Sequence, residues 1–134
     1  ATKKLDDAQK VIDKVNALIK DVKTEEAKAL ATATKDIKKK LDTTREAFNG
    51  PTREGQGIVR NLYPTTMTRV FAPRSYANSS YGAPGTTEQR LLSQGQEAAK
   101  EAISKVEEFM NGDWKAFEEK VKSTQIDLFE AVKN

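Results

Sequence analysis

The chain has 134 residues, 37% apolar and 32% charged, with 23 Lys and Arg against 20 Asp and Glu for a net charge of +3. That length fits one domain with room for a single core, and no apolar run approaches the ~20 residues needed to span a bilayer. Cysteine and histidine are both absent, which excludes disulfides, thiolate zinc sites, cysteine nucleophiles and the commonest general base.

The first predicted element starts near Lys3. Leu5, Ala8, Val11, Ile12, Val15, Leu18, Ile19 and Val22 advance by threes and fours, the stripe of an amphipathic helix. A second stripe runs Ala27, Leu30, Ala33, Ile37, Leu41 and Phe48, with Thr44 in the vacant slot. Thr24 is placed to cap it, and Glu25 and Glu26 suit the positive helix end. Asn49-Gly50-Pro51 stops it, because glycine accepts the left-handed terminator and proline cannot continue the ladder. So few residues separate the two helices that they are expected to form an antiparallel hairpin over 3–48.

A crossover of 38 residues, 49–86, follows. It holds all four prolines, all three tyrosines and four of the six arginines, with no lysine and Glu54 as its one acid. Pro64 to Phe71 reads as a short helix with Pro64 in its first turn, and Pro73 is expected to kink or end it. Residues 79–85, rich in Ser, Gly and Pro, read as exposed loop.

Thr86 and Gln89 have capping-box spacing at the head of a third stripe. Leu91, Leu92, Ala98, Ala99, Ala102, Ile103, Val106, Phe109 and Met110 carry it, and Gly95 takes one core slot. A glycine there costs about 1 kcal/mol of helix propensity or lets a neighbouring element approach closely. Asn111-Gly112-Asp113 is expected to break the chain before a last helix on Trp114, Phe117, Val121, Leu128 and Val132. The fold class is therefore all-α. The expected form is an up-and-down four-helix bundle of two αα hairpins, 3–48 and 87–133, in a single domain of 1–134.

The functional residues argue against catalysis. Nearly every acid lies on a helix face among lysines, where charged side chains are normally solvated. Glu54 lacks the second carboxylate that glycoside chemistry needs. Gly55-Gln56-Gly57 lacks the third glycine, the Lys-Ser/Thr pair and the preceding strand of a phosphate loop. No catalytic, cofactor-binding or metal-binding residue is assigned, and no cofactor is expected. A net charge of +3 with interspersed acids disfavours nucleic acid as a partner, and Lys38-Lys39-Lys40 reads as a solvated face. The candidate contact surface is Arg60, Tyr63, Arg69, Arg74, Tyr76 and Tyr81. Tyrosine with arginine is the composition of an interface, while tyrosines lying over one end of the bundle are the structural alternative. The same arginines would serve an independent binding module for an anionic polymer, nucleic acid or acidic glycan.

The order of short motifs carries a resemblance. Gln56-Gly57-Ile58, Pro64-Thr65, Tyr76-Ala77-Asn78-Ser79-Ser80, the helix start Pro84-Gly85-Thr86-Thr87-Glu88-Gln89, Phe109-Met110-Asn111 and Asp113-Trp114-Lys115-Ala116-Phe117 follow a helical hairpin. In this order the chain, from about Leu5 to Phe129, resembles the C-terminal helical region of secreted bacterial proteins with BNR/Asp-box, sortilin-like propellers, commonly termed glycosyl-hydrolase-like. No Ser-x-Asp-x-Gly-x-Thr-Trp repeat is present, so no catalytic residue carries over. The resemblance implies a non-catalytic accessory domain, periplasmic or extracellular, whose partner is the propeller of a larger polypeptide or another protein. The start at Ala1 in place of Met fits an excised or processed piece of such a chain.

Overall fold

A computed structural model describes residues 1–50, 64–79 and 85–124. The protein is an all-α helical bundle. Its elements are α1 (Thr2–Ile19), α2 (Glu25–Asn49), α3 (Thr66–Ser79), α4 (Thr86–Phe109), a π-helical turn at Met110–Trp114, and α5 (Lys115–Ser123). They fall into two compact units. One comprises Ala1–Thr43 with Val106–Asn134, the other Thr44–Lys105.

In the first unit, α1 buries Leu5, Ala8, Ile12, Val15 and Ile19. Val11 and Leu18, assigned to the same stripe from spacing, are instead exposed at 42% and 54%. They lie at the stripe's margin, and the buried arc is narrower than the apolar one. The α2 residues of this unit bury Ala27, Leu30, Ile37 and Leu41. Thr34 is fully buried as well, and its hydroxyl donates to the Leu30 carbonyl at 2.7 Å, so no polar atom is stranded. Thr24 caps α2 as expected, accepting the Ala27 N–H at 3.2 Å.

The expected break at Asn111-Gly112-Asp113 does not form. Phe109, Trp114 and Lys115 all keep right-handed helical backbone, and the chain runs from α4 to α5 through the π turn. The physical reason lies in the aromatic spacing. Phe109 and Trp114 are five residues apart, the repeat of one π turn, and their ring centroids lie 6.3 Å apart. Trp114 then meets Phe117 at 5.6 Å, and Phe117 is buried. A regular α turn would have rotated both rings away from Phe109. The second αα hairpin is thereby corrected to a helical run without reversal. Thr124 ends α5 in extended backbone, and Leu128 and Val132 lie outside the described residues.

In the second unit, α2 ends as its sequence predicts. Gly50 has φ of +75°, and its N–H donates to the Glu46 carbonyl at 2.8 Å. The Thr66 hydroxyl donates to the Ala47 carbonyl at 2.7 Å, which ties the start of α3 to the last turn of α2. Thr65 caps α3, accepting the Thr68 N–H at 3.2 Å, so Pro64 stands just before the helix.

Pro73 neither ends nor interrupts α3, which continues to Ser79. Proline at 73 leaves the Arg69 carbonyl without its helical N–H partner. Gly95 of α4 is buried against that same carbonyl: a Cβ at 95 would stand 2.8 Å from the Arg69 oxygen. The glycine therefore serves close approach. At the head of α4 the capping pair shifts by one residue from the expected Thr86 and Gln89. Gly85 is the cap, and its N–H donates to the Glu88 carboxylate at 3.0 Å.

Candidate interaction surface

Of the six candidate contact residues, Arg60, Tyr63 and Tyr81 lie outside the described residues. Arg69, Arg74 and Tyr76 stand on α3, all three exposed. Helical geometry divides them. At about 100° per residue, Arg74 shares one face with Met67, Val70 and Phe71, while Arg69 and Tyr76 share the other with Ala72 and Pro73.

The first of these faces is unusual in its apolar content. Met67, Val70 and Phe71 are 37%, 40% and 53% exposed. Their spacing of three and four residues is that of a packing stripe, yet no described side chain on α3 is buried. The helix has two arginines and no acid. The result is an apolar ridge with Arg74 at its C-terminal end and no carboxylate on its own helix to neutralise the charge. Met67 and Val70 did not emerge from sequence reasoning as contact residues. The signal was available in their spacing with Phe71, but Pro73 two residues on argued against extending a helix there.

The second face borders a cleft of about 360 Å³ lined by Pro64, Thr68, Arg69, Ala72, Leu91 and Gln94. The Arg69 guanidinium makes no hydrogen bond or close ion pair with the described residues, while its backbone N–H donates to the Thr65 carbonyl at 3.0 Å. Glu101 feels the Arg69 charge, and it is engaged elsewhere. Lys105 hydrogen-bonds it at 2.8 Å, and that bond with the lysine charge holds its carboxyl below the usual glutamate range, Arg69 contributing a weaker pull.

Lys40, the last of the lysine run, ion-pairs with Asp113 of the π turn. This pair and Asp36, Phe117 and Lys120 border a shallow groove of about 280 Å³. Among the described residues no group of three or more His, Cys, Asp or Glu gathers as a metal site, and no helix is long and apolar enough to cross a membrane.

No family model, curated protein or solved structure matches the chain.

Proposed function

We propose that this chain is a non-catalytic helical interaction domain, an accessory module of a larger exported protein with a glycosyl-hydrolase-like propeller, and that α3 is its contact element. One observation carries the reading. Met67, Val70 and Phe71 form an exposed apolar ridge with Arg74 beside it on a helix that buries no described side chain. Aromatic, methionine and arginine side chains are those enriched where proteins meet. The module's connection to a propeller rests on the order of short motifs from Gln56 to Phe117.

A photo-crosslinking residue at position 71 in the intact polypeptide tests this. Links to the upstream domain are expected, and Arg74→Glu should reduce them at least about tenfold, the effect of losing a contact residue at an interface centre. Absence of links from position 71 would overturn the surface. Turnover of a glycan by this chain alone would overturn the non-catalytic reading. Micromolar binding of DNA or an acidic glycan at physiological salt, lost on replacing Arg69 and Arg74, would favour the polyanion-binding module instead, and its affinity would fall steeply with ionic strength.

A further inference from the structure

We propose that the cleft between α3 and α4 is a binding site for a small organic carboxylate, an acid group on a compact apolar body. The site is separate from the apolar ridge on the opposite face of α3. Its volume of about 360 Å³ lies in the range of ligand pockets. Pro64, Ala72 and Leu91 supply an apolar wall, and Thr68, Arg69 and Gln94 supply polar groups.

The donor balance selects the ligand's charge. Arg69 is the one ionised side chain among the described residues of the lining, and a guanidinium carries a planar fork of N–H donors. Gln94 adds an amide that donates or accepts. The Thr68 hydroxyl donates to the Thr65 carbonyl at 2.8 Å and lies 3.3 Å from the Thr65 hydroxyl, so it is engaged within the cap of α3 and offers the cleft no free donor. Among the described residues no carboxylate lines the cleft to satisfy the arginine, and Glu101 is paired with Lys105. An incoming carboxylate would take the guanidinium in a paired, charge-assisted geometry.

The cleft is also built on a fixed backbone. Gly95 brings α4 to the Arg69 carbonyl, and the ring of Pro73 fixes the next turn of α3. The backbone on which the cleft stands is thus set by helix packing, while the exposed Arg69 and Gln94 side chains must be ordered on binding.

The test uses the full chain and two probes, 4-phenylbutyrate and its uncharged amide, titrated by heteronuclear NMR. Binding of the acid with a Kd of about 1 mM or tighter is expected for a ligand of this size, with shifts centred on Arg69, Ala72, Leu91 and Gln94. The amide should bind at least about tenfold more weakly, the loss of a charge-assisted bond. Arg69→Gln should reduce acid binding by a similar factor. Ala72→Leu, which fills the cleft without touching the charge, should weaken both probes. Phe71→Ser lies on the ridge and should leave acid binding unchanged, so failure of the contact surface and failure of this site are distinguishable. Equal affinity for acid and amide, unchanged binding in Arg69→Gln, loss of binding in Phe71→Ser, or no saturation by about 10 mM would each overturn the proposal.

Discussion

A methyl group at position 95 would stand 2.8 Å from a backbone oxygen of α3 and 3.4 Å from the Val70 Cα. Both neighbours are main-chain atoms, so relief requires a shift of the helix rather than a rotamer change. Two effects oppose each other in Gly95→Ala. Helix propensity improves by about 1 kcal/mol, while overpacking a close contact costs about 1–3 kcal/mol. The contact should win, because the clash lies at the point where the two helices approach. Urea unfolding of Gly95→Ala is expected to show a net loss of about 1 kcal/mol; a variant more stable than the parent would show that α3 moves freely away. The glycine's slot on the stripe was legible from spacing alone. The carbonyl that required it was not, because its vacancy comes from Pro73, 22 residues earlier in the chain.

At the scale of elements, the π turn is the least predictable feature and the easiest to rationalise afterwards. Asn111 and Gly112 are weak helix formers, and together with Asp113 they spell a break. The helical path survives because it keeps Trp114 and Phe117 in line with Phe109. One π turn accommodates one residue more than an α turn. Deleting Asn111 should therefore convert it to regular α-helix while keeping both rings on the buried stripe. The expected outcome is stability within about 1 kcal/mol of the parent and an unchanged fluorescence maximum from Trp114, the sole tryptophan. Deleting Lys100 from α4 instead should abolish the cooperative transition, because it rotates the following stripe by about 100°. If both deletions behaved alike, the register of the stripe would not govern this helical run. The same principle explains α3. Local sequence marked Pro73 as a stop, but proline removes only one ladder bond, and the helix continues on either side.

At the scale of the whole molecule, charge first appears as a weak basic excess. By sequence the segment 3–48 carries +3 and the segment 87–133 carries −3, leaving the excess of +3 on the crossover. Attraction between the two ends of the chain follows, and Lys40 with Asp113 is one place where it takes shape. Both side chains are about half exposed, so solvent and salt screen the pair. A double-mutant cycle on Lys40→Met and Asp113→Asn should give a coupling below about 1 kcal/mol, shrinking further in 1 M salt. A coupling of several kcal/mol would mean that this pair, rather than apolar burial, holds α2 to the π turn.

Sequence by itself determined the helical class, the capped and terminated bounds of α2, and the core residues at the centre of each stripe. Those are local properties: side-chain period, capping geometry and the left-handed freedom of Gly50 act within a few residues of chain. Arg69, Arg74 and Tyr76 were likewise legible as a basic and aromatic group in an acid-poor segment. Tertiary structure decided the rest. It turned Asn111–Asp113 from a break into a π turn, carried α3 through Pro73, and left Val11 and Leu18 outside the core. It also divided the arginines, setting Arg74 beside an apolar ridge and Arg69 at a cleft. The π turn depends on which rings meet along one helical run, and the course of α3 on what α4 presents at Gly95, 22 residues beyond Pro73; neither is contained in the residues of a single turn.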